Sequence, residues 1–171
     1  MGSIRDEIKQ KRPFSSPFDE GVVTLLRTAD HVRAALSAVV EPRGVTLQQY
    51  NVLRILRGAG ADGLPTLEIA SRMIETSPGI TRLLDRLEAK RLVRRERCPV
   101  DRRQVLCRAE RSALELLSSL DEPMAAAAQH ALAPLDGRRT KQLIHLLDAV
   151  RSSPPSSEED SDQTRTEKRR E

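Results

Sequence analysis

Aromatic side chains are nearly absent from this sequence: Phe14, Phe18 and Tyr50 are the only three, and there is no tryptophan. Modules that bind single-stranded nucleic acids stack bases on such side chains, so their scarcity disfavours a single-strand binder. A core has to be built from Leu, Ile, Val, Ala and Met, and these residues suit helices better than sheets. We therefore expect a mainly helical fold.

Cysteines are equally scarce. Cys98 and Cys107 are too few to staple a domain of 171 residues, and neither lies in a close-spaced Cys/His cluster that could bind zinc. The histidines His31, His130 and His145 are spread over three predicted helices and supply no acid–base pair. The sequence therefore predicts no metal, no cofactor and two reduced thiols.

Long apolar runs and catalytic motifs are missing too. No stretch approaches the roughly 18 apolar residues of a membrane helix, and residues 1–6 lack the apolar core of a secretory signal. The sequence has no phosphate-binding Gly-x-x-x-x-Gly-Lys, no His-Glu-x-x-His and no Gly-x-Ser-x-Gly. We expect a cytoplasmic protein that neither contacts a membrane nor acts as an enzyme.

Positive charge is concentrated in one part of the chain. The net charge is only +4, but residues 72–111 contain 12 Lys and Arg against 6 Asp and Glu, and the remaining segments are close to neutral. A positive excess confined to one stretch is typical of a surface that binds a polyanion.

Composition also suggests three parts. Residues 1–17 are predicted to be a flexible N-terminal segment, and residues 18–151 to form the folded domain. Residues 152–171 contain no apolar side chain that could dock on a core, so they are predicted to be a disordered polar tail.

Apolar residues in the folded domain recur at helical spacing. The first predicted helices cover about 18–40, the stretch from Thr46 to the glycines at 58–63, and a short stretch from Pro65 to about Ile74. A long helix is predicted from about Leu114 with an interruption near Pro123, and a final one from about Leu135. The final helix is expected to bury Leu143, Ile144, Leu146, Leu147 and Val150.

One helix has a particularly clear start signal, with Ser77 as its N-cap and Pro78 at its first position. Its apolar stripe at positions i, i+3, i+4 and i+7 consists of Ile80, Leu83, Leu84 and Leu87. The outward residues on the opposite face are Pro78, Thr81, Arg82, Asp85, Arg86 and Ala89.

The period then changes from helical to alternating. Residues 92–97 and 104–108 are predicted to pair as two strands around a loop at 98–103. Three helices, the last two joined by a tight turn, followed by a hairpin with a basic tip, predict a winged helix-turn-helix: a mainly α fold with a small β-hairpin.

This arrangement fits double-stranded DNA. A helix can enter the major groove, where Thr81, Arg82 and Arg86 can bond to base edges or phosphates. Arg102 and Arg103 on a slim hairpin can reach the minor groove or flanking phosphates. Arginines opposite an apolar stripe are more often just a solvated face, but the order of elements and the confined charge favour the DNA interpretation.

The segments 66–72, 77–88, 92–95 and 101–103 (TLEIASR, SPGITRLLDRLE, LVRR and DRR) resemble the MarR family of bacterial regulators. The resemblance covers about residues 20–150. It departs from the family pattern at 109–113, where the usual Thr and Gly before the next helix are missing.

The resemblance implies a homodimer in which helices at about 18–41 and 112–151 of each subunit interlock while two winged lobes grip DNA. It places Ser77, Pro78, Thr81 and Arg82 at recognition-helix positions, and Asp101 with Arg103 in the wing's Asp-x-Arg motif. Many members of the family release DNA when a small aromatic or phenolic acid binds. The leading hypothesis is therefore a homodimeric repressor of a pseudo-palindromic operator that is released by such an effector.

Two further hypotheses concern other roles. A winged helix can instead be a protein-interaction module without specific DNA binding, although the positive excess argues against it. Cys98 is flanked by Arg94, Arg95, Arg97, Arg102 and Arg103. Neighbouring cations lower a thiol's pKa and make the thiol easier to oxidise. The hypothesis is that oxidation of Cys98, beside the wing, weakens DNA binding. The alternative is an unreactive wing thiol.

Overall fold

The computed structural model describes residues 2–75, 79–98, 101 and 104–152. These residues fall into two units, one ending at Ala131 and the other beginning at Leu132. Their elements follow in the order α1 (Ile4–Glu7), α2 (Pro17–Val40), α3 (Leu47–Ala59), β1 (Leu64–Pro65), α4 (Thr66–Ser71), α5 (Ile80–Ala89), β2 (Val93–Arg97), β3 (Val105–Ala109), α6 (Arg111–Ala131) and α7 (Gly137–Ser152). The mainly α fold predicted from the sequence is confirmed. The predicted tail at 152–171 lies outside the described residues except for Ser152.

Local capping signals explain where the first helices begin. The Ser16 hydroxyl accepts a hydrogen bond from the Asp19 N–H at 3.1 Å, and Pro17 stands in the first turn of α2. The segment 1–17, predicted to be flexible, contains the one-turn helix α1. Glu7 in α1 pairs with Arg27 of α2, with 2.7 Å between Oε1 and Nε.

The core lies in the first unit, between α3, α5, the sheet and α6. Its fully buried side chains are mostly aliphatic: Val40, Val52, Leu53, Leu56, Ile69, Leu84, Leu87, Val93, Cys107, Leu117 and Leu120. The buried Gln49 is satisfied by a capping box with Thr46 and by Lys90, whose Nζ lies 3.1 Å from the Gln49 Oε1. Lys90 thereby fixes the C-terminal end of α5 to the start of α3.

The sheet contains one strand more than the predicted hairpin. β2 and β3 pair antiparallel with Arg95 opposite Cys107, and β1 pairs with the other edge of β3, so the strand order is β1-β3-β2. The sequence pattern assigned Pro65 to the start of a helix, because a two-residue strand is too short to show alternation. α4 therefore begins at Thr66. It ends at Ser71, three residues before the predicted end at Ile74.

The predicted interruption near Pro123 is wrong, because α6 runs without a break from Arg111 to Ala131. A proline deprives the carbonyl four residues earlier of its helical N–H partner. That carbonyl belongs to Ser119, which is exposed, so water can satisfy it. α6 is tied to α3 by a two-pronged ion pair in which both Arg57–Asp121 contacts measure 2.9 Å.

The predicted burial along the final helix is also wrong for the single chain. α7 has no buried residue, and Ile144, Leu146 and Val150 are 54%, 55% and 60% exposed. The apolar periodicity therefore predicts the helix correctly, but it does not show whether the apolar residues are buried within the same chain.

Candidate nucleic-acid interface

α5 presents a polar face to solvent because its opposite face is anchored in the core. Leu83, Leu84 and Leu87 are buried, and Ile80 packs against them, as the stripe predicts. Thr81, Arg82, Asp85 and Arg86 are exposed on the other face. Anchoring by leucines at this spacing fixes both the axis and the rotation of the helix, so the exposed side chains point away from the domain.

Two of the exposed side chains are free to bind a partner. Among the residues that the structure describes, the side chains of Arg82 and Arg86 form no hydrogen bond or ion pair. They stand four positions apart and therefore on the same side of the helix. Two uncommitted guanidinium groups one turn apart can donate to base edges or to phosphates.

The start of this helix is only partly described. α5 begins at Ile80 after Gly79, and the predicted cap residues Ser77 and Pro78 lie outside the described residues. Their proposed contacts with DNA stay predictions.

The segment before α5 is held by side chains from two other helices. The Ile74 N–H donates to Asn51 Oδ1 of α3 at 3.0 Å. Glu75 accepts from Arg33 of α2 at 2.6 Å and from Gln48 of α3 at 3.2 Å. The bonds from Arg33 and then Gln48 lower the pKa of Glu75, because they favour its charged form. Glu75 thus connects the long helix α2 to the turn that precedes α5.

We expect this carboxylate to make stability depend on acid. Because its pKa is lowered by folding, its contribution is present above the ordinary glutamate pKa of about 4.3 and is lost as the pH falls through the folded-state pKa. At pH 7 the Glu75→Gln variant should melt about 2 °C lower than the wild type, a small effect because the group is partly exposed. The two melting temperatures should converge towards pH 3 in thermal unfolding followed by circular dichroism.

Glu115→Gln is the matched control, since Glu115 forms an ion pair with Arg111 one turn away on an exposed surface and with no other residue that the structure describes. A Glu75→Gln variant whose deficit persisted unchanged to pH 3 would show that the carboxylate charge is not the cause.

The wing is closed by a short network around Asp101. The Cys98 N–H donates to the Gln104 carbonyl at 3.0 Å, and the Gln104 N–H donates to the Asp101 carbonyl at 2.9 Å. The Gln104 amide also donates to Asp101 Oδ2 at 3.2 Å. Asp101 is thereby bonded to the start of β3, and its predicted role in DNA binding stays a prediction. Arg102 and Arg103 lie outside the described residues, so their predicted contacts with DNA stay predictions.

Arg95 joins the wing to α5. Its Nε lies 2.9 Å and its Nη2 2.7 Å from Glu88 Oε2, and Nη2 also bonds to Asp85 Oδ1. The bonds to Asp85 and then Glu88 raise the pKa of Arg95. The sequence marks Arg95 only as a neighbour of Cys98. Its role beside Asp85 follows no sequence period, because the ten-residue separation crosses from a helix to a strand.

Comparison with known proteins identifies the family that has this fold. The model of the MarR family matches residues 45–105. The crystal structure of a MarR transcription factor from Planctomyces limnophilus is 36% identical to this chain, covers 80% of this chain and 99% of its own, and superposes with a TM-score of 0.62. The chain belongs to the MarR family.

Two more distant structures share the fold of this MarR-family chain. The S. aureus MepR–DNA complex is 24% identical, with a TM-score of 0.69 and coverage of 77% of this chain and 96% of that one. CouR from Rhodococcus jostii RHA1, bound to p-coumaroyl-CoA, is also 24% identical, with a TM-score of 0.68 and coverage of 84% and 99%. A search of curated proteins finds no match. Members of the MarR family are transcription regulators, and this chain is one of them.

The two cysteines of this MarR-family wing differ in environment. Cys107 in β3 is fully buried, and burial raises the pKa of its thiol, as expected for a packed and inert residue. Cys98 is partly exposed, and its Sγ lies 3.5 Å from the Asp101 N–H. The redox role of Cys98 stays a prediction.

Within the part of the chain that is described, no helix combines the length and the apolar character needed to cross a lipid bilayer.

Proposed function

We propose that this MarR-family protein is a cytoplasmic, homodimeric repressor that binds a pseudo-palindromic operator in double-stranded DNA, with α5 in the major groove. The observation that carries the proposal is the exposed face of α5, where Arg82 and Arg86 are uncommitted beside Thr81. The helix has the dimensions that the major groove accepts, and its buried leucine stripe holds that face outward. S. aureus MepR, which shares the fold, has been captured on DNA.

Exposed apolar side chains on α2 and α7 support the homodimer. On α2, Phe18, Val22 and Leu26 are 85%, 58% and 65% exposed. α7 likewise exposes three large aliphatic side chains along its length. Phe18, Val22 and Leu26 recur every four residues on one side of α2, and large apolar side chains so placed are normally covered in a soluble protein. A second copy of the same chain is the partner that the family relationship suggests.

A small aromatic or phenolic acid is the effector that we propose. The relative CouR carries p-coumaroyl-CoA, which has a phenolic ring. A cavity of about 420 Å³ near the start of α6 is lined by charged side chains, among them Arg91, Arg94 and Glu110. This lining carries charges of both signs, and we do not assign the effector to this cavity.

A mobility-shift titration tests the proposed function. The wild-type protein should enrich one class of sequence from a pool of random duplexes, and its affinity for that class should fall steeply with salt as phosphate-bound counterions are released. Addition of p-coumarate should weaken the shift. If no sequence is preferred and salt has no effect, the regulator proposal fails and a protein-interaction module becomes the better account.

We expect Arg82→Ala to relax sequence preference. A guanidinium that bonds to base edges discriminates between bases by about 1–3 kcal/mol, so affinity for the enriched sequence should fall about tenfold or more. Affinity for a random duplex should change little. Competition titrations with both duplexes measure the ratio.

Two controls sharpen this test. Arg111→Ala removes an arginine that is 92% exposed at the start of α6 and should leave the ratio unchanged. Arg103→Ala should weaken binding to both duplexes alike if it meets phosphates. An Arg82→Ala variant that lost affinity equally for both duplexes would assign Arg82 to the backbone instead of the bases.

A further inference from the structure

The helix α5, which we propose to be the recognition helix, has no net charge of its own. Within α5, Arg82 and Arg86 are balanced by Asp85 and Glu88. The whole positive excess of the segment 72–111 lies after this helix, because residues 90–111 contain nine Lys and Arg against three Asp and Glu. An uncompensated α5 would therefore bring two carboxylates as well as two guanidinium groups towards a phosphate backbone.

Asp85 is the more exposed of the two carboxylates. It lies three positions after Arg82 and four after Thr81, so it shares their side of the helix. Its side chain is 54% exposed, against 43% for Glu88. A carboxylate in this position repels phosphates unless a cation neutralises it, because like charges across a binding interface are strongly unfavourable.

Arg95 is built to supply that cation. It stands in the middle of β2, opposite the fully buried Cys107, so its backbone is fixed by the sheet. Its guanidinium bonds to Glu88 at 2.7 and 2.9 Å and also to Asp85, and its side chain is only 23% exposed. An arginine committed to two carboxylates in this way has few donors left for DNA.

We propose that Arg95 is a charge-compensating and positioning residue of the DNA interface: it acts through Asp85 and Glu88, does not itself contact phosphate, and leaves α5 with a positive face. This inference rests on the proposed DNA binding. Arg95 thus gives the exposed face of α5 its positive charge, and it also holds the wing against that helix.

The proposed role of Arg95 is tested by removing its charge and then by also removing the charges of its two acidic partners. The probe is a mixed-sequence duplex of about three helical turns at low salt, so that no operator needs to be known. Arg95→Gln should weaken binding about ten- to a hundredfold, because two carboxylates become uncompensated. The triple variant that adds Asp85→Asn and Glu88→Gln should return to within about threefold of the wild type. Its dependence on salt should match that of the wild type, since each lost phosphate contact would lower the slope by about 0.9.

Arg94→Gln is the matched control, because Arg94 is the neighbouring residue of β2, is 59% exposed, and has Glu110, at 3.7 Å, as its one ion-pair partner among the described residues. It should cost distinctly less affinity than Arg95→Gln. Equal losses in the two variants, no loss in Arg95→Gln, or a triple variant that stays weak would each overturn the inference. If the wild-type protein itself fails to bind the duplex, the proposed function fails instead. Melting temperatures of all variants show whether the fold is retained.

Discussion

Replacing Leu26 with glutamate is expected to turn the dimer into a monomer and to weaken operator binding about a hundredfold. Leu26 is 65% exposed in the single chain, so a glutamate there can remain hydrated and should not unfold the monomer. In the proposed dimer the same position is covered, and burying an unpaired carboxylate is strongly unfavourable. A monomer also loses the linkage that makes the second half-site an intramolecular binding event. Light scattering and a mobility-shift titration measure the two effects.

Leu67→Glu provides the control for the oligomeric state. Leu67 is 82% exposed on α4, which is not one of the helices proposed to form the dimer. That variant should remain dimeric in light scattering. A wild-type protein that is already monomeric, or a Leu26→Glu variant that stays dimeric with unchanged affinity, would contradict the proposed role of α2.

The helices show which features a pattern of apolar residues can predict and which it cannot. Spacing of apolar residues predicted α2, α3 and α5 well, because helical periodicity is a local property that three or four residues reveal. It also identified the apolar stripe of α5, whose three leucines are buried as predicted and whose Ile80 is partly buried. It could not tell that the apolar residues of α7 are exposed in one chain, since periodicity gives a direction but not what lies there.

Short and non-local features escaped the sequence analysis for other reasons. β1 has only two residues, so no alternation marks it, and its pairing with β3 joins positions more than 40 residues apart. Pro123 predicted a break because proline is costly inside a helix, but the carbonyl that loses its partner belongs to Ser119, an exposed residue that water can reach. Whether a proline interrupts a helix thus depends on the solvent exposure of the residue four positions earlier, which the sequence does not give.

The candidate site likewise has a part that the sequence predicts and a part that it does not. The exposed face of α5 could be predicted, because it is the complement of the buried stripe. The partners of its acidic residues could not, because Arg95 reaches Asp85 from a different element. Likewise, Arg33 and Glu75 are 42 residues apart, and no motif connects them. Residues that compensate charge or hold a turn are therefore found only in three dimensions.

Gly63→Ala is expected to destabilise the winged domain by about 3–4 kcal/mol, or about 6–16 °C in melting temperature. Gly63 has φ +67° and ψ −174°, a conformation that only glycine adopts without strain. A Cβ there would also lie 2.6 Å from the Cys107 carbonyl oxygen and 2.6 Å from Arg108 Cγ. The Arg108 side chain can move, but the Cys107 carbonyl belongs to the central strand β3 and cannot shift without disturbing both of its neighbours.

Two nearby glycines separate backbone strain from the steric clash. Gly60 has φ +66° but nothing within 4 Å of an added Cβ, so Gly60→Ala should show strain alone, about 1–2 kcal/mol. Gly58 lies inside α3 without a positive φ and with open space around it, so Gly58→Ala should be neutral or stabilise by up to about 1 kcal/mol. Thermal and urea unfolding of the three variants measure this order. Equal losses for Gly60→Ala and Gly63→Ala would show that the approach of Gly63 to β3 adds nothing, and that β1 tolerates a wider separation from the wing than the structure gives it.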